Sequence, residues 1–150
     1  MTPETKKVLE RFDEPGAYEF PGGFDYPDLE RRAKLVYRDI ENLGIRAGFE
    51  GAAYNQDASF SIAVVLHDYE RSESAAMIQP TIRFSNFGNL ATLTWIDQIP
   101  GTVVAEIRAS LGRHGFTYVW EAELDCDYDG IMAEKKHVFR TWWIRYFDWL

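Results

Sequence analysis

The chain has 150 residues, of which 46% are hydrophobic, 15% aromatic and 27% charged, with a formal charge of −8. That mixture is too apolar for intrinsic disorder and too interrupted by charge for a membrane protein, and the length predicts a single domain, residues 1–150, able to bury about two-thirds of its unfolded surface. The negative charge argues against direct nucleic-acid binding, which needs a basic surface to displace counterions, and favours a basic partner.

Cys126, the one cysteine, cannot form an internal disulfide, and residues 1–14 hold no apolar stretch like the core of a signal peptide. The longest compact apolar run, Phe60 to Leu66, is too short to span a bilayer. The expectation is a cytoplasmic protein without a membrane anchor.

Thr2 and Pro3 read as the cap and first residue of a short helix with Val8, Leu9 and Phe12 on one side, closed by Pro15. Gly16 to Tyr26 mixes Pro21, Gly22 and Gly23 with Tyr18, Phe20, Phe24 and Tyr26, which predicts an irregular loop pinned by its rings. Pro27 opens a second helix: Leu29, Ala33, Val36, Tyr37, Ile40 and Leu43 recur at three- and four-residue spacing, and Gly44 suits a left-handed cap.

From Ser59 the period becomes two, and Phe60, Ile62, Val64 and Leu66 mark a strand with one face in the core; a weaker strand precedes it near Phe49 to Tyr54. Two further strands are expected at Met77 to Phe84, placed at an edge by Pro80, and at Leu90 to Trp95, joined through Asn86 to Asn89 in a hairpin turn. Pro100 and Gly101 precede a helix with Val103, Val104, Ile107 and Leu111 on one face and Gly115 as its stop.

From Phe116 to Asp129 apolar residues hold the even positions, while Thr117, Val119, Glu121, Glu123, Asp125, Asp127 and Asp129 hold the odd ones. This predicts a long strand with one face in the core and an acidic ribbon on the other. It would turn near Asp129 to Ala133 and pair with a second aromatic strand, His137 to Trp149. With Tyr128 opposite Lys135, the register sets Phe116 against Phe147, Trp120 against Trp143 and Leu124 against Phe139 inside, with Glu123 facing Arg140 and Asp127 facing Lys136 outside. The fold expected from these segments is α+β: two N-terminal helices, a mostly antiparallel sheet of about five or six strands, and one helix before a C-terminal hairpin.

Five carboxylates on one strand face repel one another, and this register supplies two cationic partners for them. The excess marks Glu121, Glu123, Asp125, Asp127 and Asp129 as candidate contacts for a basic protein. Asp125, Asp127, Asp129 and Gly130 also match the first half of a calcium loop, but Lys136 stands where the bidentate Glu belongs.

His67–Asp68 resembles paired ligands of a metal hydrolase, without ligand spacing to the other histidines, His114 and His137; a capped strand end explains it as well. Cys126 beside His137 would suit a thiol nucleophile, yet both fall on the core face. No nucleophile elbow, phosphate loop or dinucleotide fingerprint is present, so nucleophilic, nucleotide-dependent and hydride-transfer enzymes have no positive support and no cofactor is expected. Trp142, Trp143, Tyr146, Phe147 and Trp149 could form a base-stacking platform, but with only Arg140 and Arg145 nearby they read as core and rim.

Two stretches, Ile82-Arg-Phe-Ser-Asn-Phe-Gly-Asn-Leu-Ala-Thr-Leu93 and Thr141-Trp-Trp-Ile-Arg-Tyr-Phe-Asp-Trp-Leu150, resemble segments of small bacterial immunity proteins that accompany polymorphic and contact-dependent inhibition toxins. The resemblance implies a cytoplasmic, non-catalytic protein that binds a cognate toxin domain delivered by neighbouring cells and blocks it. Such toxins are frequently nucleases with basic substrate sites, which the acidic ribbon would fit by standing in for phosphates. Two other readings stay open: a small metal-dependent hydrolase using His67 and Asp68, with the Asp125 to Asp129 cluster as further candidate groups, and an acidic DNA mimic that regulates a DNA-binding protein.

Overall fold

A computed structural model describes residues 1–51, 62–135 and 137–148. Helix α1 spans Pro3–Arg11, with the Thr2 hydroxyl accepting from the Thr5 amide as the cap expected of it. Helix α2, Tyr26–Asn42, begins one residue before the position predicted and is capped by the Asp25 carboxylate; Leu29, Ala33, Val36 and Ile40 form its buried stripe. Gly44 follows with φ of 80°, the left-handed conformation its place called for.

Strand β1, Ala47–Glu50, pairs with β2, Ile62–Leu66. The rest of the expected segments, 52–54 and 59–61, lies outside the described residues. The segment from Met77 to Phe84 divides. Ala76–Ile78, strand β4, joins β3 at Arg71–Glu73 in a separate two-stranded ribbon, while Thr81–Phe84 forms β5. Pro80 sits in the break, which corrects its expected edge position: β5 lies in the middle of the main sheet, and the Pro80 carbonyl accepts from the Leu66 amide at 2.9 Å.

Strand β6, Leu90–Leu93, completes the expected hairpin with Ile82 opposite Leu93, and Gly88 and Asn89 take φ of 60° and 56° in its turn. Helix α3, Gly101–Arg113, then carries the chain across so that β7, Thr117–Tyr118, runs parallel to β6. The main sheet has the order β1-β2-β5-β6-β7 and is antiparallel except for that last pair. The class is therefore α+β. Helices α2 and α3 pack on the sheet over Ile62, Val64, Leu66, Ile82, Phe84, Ala91 and Leu93.

The chain after Tyr118 departs from expectation. The predicted acidic strand ends after two paired residues; Glu121–Leu124 form a helical turn, α4, and Trp142–Tyr146 form helix α5 where a second strand was expected. Alternation fails because the phase reverses. Val119, on the predicted outer face, is 3% exposed, and Trp120, on the inner one, is 40% exposed.

Leu124 and Tyr128 are buried four residues apart, and rings stack at the same spacing in the pairs Trp142–Tyr146 (5.8 Å) and Trp143–Phe147 (5.5 Å). The Thr141 hydroxyl accepts from the Ile144 amide and caps α5. In place of a hairpin registered on Tyr128 and Lys135, an isolated antiparallel bridge joins Asp127 to Thr141, with the Tyr128 amide on the Arg140 carbonyl at 3.0 Å.

A second hydrophobic cluster holds this C-terminal segment to α1 and the β5–β6 turn, with Leu9, Phe87, Leu90, Leu124, Tyr128, Phe139, Trp142 and Tyr146 at its centre. Within it lies a buried ion pair, Arg145 Nε to Asp13 Oδ1 at 2.8 Å, with both side chains almost fully enclosed. Asp13 also accepts from the Tyr128 hydroxyl and the Ile131 amide, and the Arg145 guanidinium lies 4.4 Å from the centre of the Phe87 ring.

Candidate functional site

The end of β6 and the start of α4 meet at an open groove of about 470 Å³ lined by Trp95, Asp97, Trp120, Glu121, Asp125 and Trp143 among others. Trp95 is 53% exposed. Its backbone is left-handed, with φ 56° and ψ 39°, so the strand predicted to reach it ends at Leu93 and a 3-10 turn, Ile96–Gln98, begins instead. A bulky aromatic residue in that region costs on the order of 1 kcal/mol. The Trp95 amide donates to Glu121 Oε2 at 3.0 Å, so the first carboxylate of α4 fixes the turn that presents the ring.

Burial pushes the Glu121 carboxyl above its ordinary value; Asp125 and Asp97 act in the same direction, against the Trp95 amide and the Arg83 charge. Among the described residues, Asp97 and Asp125 make no side-chain hydrogen bond or ion pair. The flanking cations stack on rings: the Arg108 guanidinium lies 5.1 Å from the Tyr118 ring and 5.0 Å from the Trp120 ring, and that of Arg83 lies 5.7 Å from Trp143. Tyr118 is half-buried, and burial raises its hydroxyl to about 12.

The five carboxylates of the expected ribbon separate into two sets. Glu121 and Asp125 line the groove. Glu123 turns to the start of α1, accepting from the Thr2 amide at 2.6 Å and the Thr5 hydroxyl at 2.7 Å; burial opposes its ionisation, but these bonds bring its carboxyl below its ordinary value. Asp129 pairs with Lys6 and accepts from the Trp142 indole, and the Lys6 bond holds its carboxyl low. Asp127 is exposed. Glu123 therefore does not face Arg140, and Lys136, the partner expected for Asp127, lies outside the described residues.

No family model, curated protein or solved structure matches this chain.

The chain's remaining candidates fall into structural contacts. His67 opens a 3-10 turn beyond β2 and its Nδ1 meets Glu70 at 2.5 Å, while Asp68 turns away to the Arg46 amide and guanidinium at 2.8 and 2.7 Å. The two side chains are thus divided between separate partners, and no group of three metal-ligating residues forms among the described residues. The register that would set Cys126 beside His137 does not form; Cys126 is part-buried near the amino terminus.

Another constellation, unread in the sequence, joins α2 to α3: the Asp39 carboxylate accepts from Ser110 at 2.6 Å, meets His114 Nε2 at 2.9 Å and pairs with Arg113 at 3.0 Å. Burial opposes its charge, but the three bonds prevail and bring the carboxyl to about 2. Both Ser110 and His114 converge on one acceptor, so the arrangement clamps two helices and does not form a nucleophile relay. Among the described residues no helix is long and apolar enough to cross a membrane.

The groove was half legible in advance. Glu121 and Asp125 belong to the acidic run, but Trp95 and Asp97 come from a separate segment that only the fold brings alongside. The usable signal was the acid-aromatic mixture in Thr94–Gln98 and Trp120–Asp125, with no regular period to absorb the tryptophans into a core.

Proposed function

We propose that the chain is an immunity protein: a non-catalytic, stoichiometric inhibitor that binds a basic toxin domain, with the tryptophan-carboxylate groove at the centre of its interface. The observation that carries this reading is the convergence of Trp95, Trp120 and Trp143 with Asp97, Glu121 and Asp125 on one open surface. Large aromatic rings that remain part-exposed beside charge are the composition of binding hot spots, where apolar anchoring and electrostatic steering reinforce each other. The formal charge of −8 adds long-range attraction for a basic partner.

The acidic segment contributes unequally. Glu121 and Asp125 lie in the groove and exposed Asp127 extends it, whereas Glu123 and Asp129 are engaged with α1. A toxin that cuts nucleic acid would present a basic substrate site to this surface, and the carboxylates would take the place of phosphates.

The test is a calorimetric titration of the chain with any toxin domain encoded beside its gene, alongside toxin activity. One-to-one binding in the nanomolar range, loss of toxin activity, and association that slows as salt rises from about 0.05 to 0.5 M support the reading. No binding, or turnover of the toxin by substoichiometric amounts of the chain, refutes it.

A further inference from the structure

We infer that the groove between the β6 end and α4 is a receptor for one arginine side chain of the partner, its guanidinium stacked on the exposed tryptophans and held by Glu121 and Asp125. This rests on the inhibitor reading for its partner and adds the chemistry that the partner must present. The groove is aromatic in its walls and acidic in its charge: Trp95 and Trp120 are 53% and 40% exposed, and Asp97, Glu121 and Asp125 line the space beside them.

Its surface therefore complements a group that is flat, weakly hydrated and cationic at once. Guanidinium meets all three conditions, because it stacks on indole faces and gives in-plane donors to carboxylates, whereas an ammonium is compact and strongly hydrated. The protein already makes this contact internally, with the Arg108 guanidinium 5.0 Å from the Trp120 ring.

Among the described residues Glu121 Oε2 is taken by the Trp95 amide while Oε1 has no hydrogen bond, so one carboxylate oxygen remains for a donor. The Asp125 side chain, one helical turn later, likewise makes no hydrogen bond or ion pair among the described residues. A bound cation would add to Arg83 in offsetting the charges of Asp125 and Asp97 that act on Glu121.

The probe is N-acetyl-arginine amide, titrated into the full chain while the tryptophan indole N–H resonances are followed by NMR. Saturating shifts confined to Trp95, Trp120 and Trp143, with a dissociation constant on the order of 1 mM, are expected for a single side chain. The lysine amide should bind about fivefold more weakly and the neutral citrulline amide should not saturate. Glu121→Gln should weaken arginine about fivefold; because it touches the Trp95 turn, Asp125→Asn, which removes no hydrogen bond, repeats the test with the fold monitored by the buried Trp142 indole.

Equal shifts from arginine and citrulline, tighter binding of lysine, or no saturation overturn the inference. The toxin titration is read separately. A toxin that binds wild type and both variants equally overturns the groove assignment and leaves the inhibitor reading intact, whereas arginine saturation without toxin binding does the reverse.

Discussion

Arg145→Met tests the joint between the C-terminal segment and the rest of the molecule. The wild-type guanidinium has no exposed side-chain surface, donates to Asp13 at 2.8 Å, and lies 4.4 to 5.3 Å from the ring centres of Phe87, Phe139 and Tyr146. Methionine fills much of the same space, so the loss is chiefly electrostatic: the Asp13 carboxylate stays buried with the Tyr128 hydroxyl and the Ile131 amide as its remaining donors among the described residues. Removing one partner of such a pair costs ~3–5 kcal/mol, which at ~2–4 °C per kcal/mol for a chain of this length lowers the melting temperature by roughly 6–20 °C.

Asp13→Asn alone strands the guanidinium and should cost a similar amount, but the double variant leaves no buried net charge and should cost less than the sum by ~2 kcal/mol or more. Urea unfolding followed by tryptophan fluorescence measures all four corners of the cycle. Additive losses, or a loss below ~1 kcal/mol for Arg145→Met, would refute the claim that this ion pair holds the segment.

Three more outcomes rest on the same kinds of contact. Gly130→Ala drives a methyl into Asp13 Oδ2 and to 2.6 Å from the Tyr128 ring, so it should destabilise by ~1–3 kcal/mol in the same unfolding assay. Glu123→Ala removes the acceptor for the Thr2 amide and the Thr5 hydroxyl, and hydrogen exchange should show the first turn of α1 opening at a cost of ~0.5–2 kcal/mol while arginine-amide binding stays unchanged. Asp39 titrates at about 2 in the folded chain against an ordinary 3.8. Its folded pKa is depressed, so its contribution is fully present above about pH 4 and is lost as pH falls toward about 2. Asp39→Asn should flatten that part of the stability-pH profile, and an unchanged slope would remove Asp39 as its source.

Local chemistry made α1, α2, α3 and the β5–β6 turn legible from sequence alone. Thr2–Pro3 and Asp25–Pro27 carry their own caps, the α2 stripe repeats through Leu29, Ala33, Val36 and Ile40, and Asn89 and Gly88 supply the positive φ of the β5–β6 turn. Each signal involves residues within a few positions of one another, so it survives without knowledge of the rest.

Only tertiary structure decided the segment after Tyr118. An alternating run of aromatics and carboxylates reads as a strand as long as a neighbour is there to pair with it, but β7 meets β6 over just two residues and the chain then leaves the sheet. Distant partners govern its path from there: the Trp95 amide holds Glu121, α1 holds Glu123, Lys6 holds Asp129, and Asp13 holds Arg145. Buried charges and caps satisfied across more than a hundred residues leave no periodic trace in the chain, which is why the acidic run was visible in the sequence and the groove that uses part of it was not.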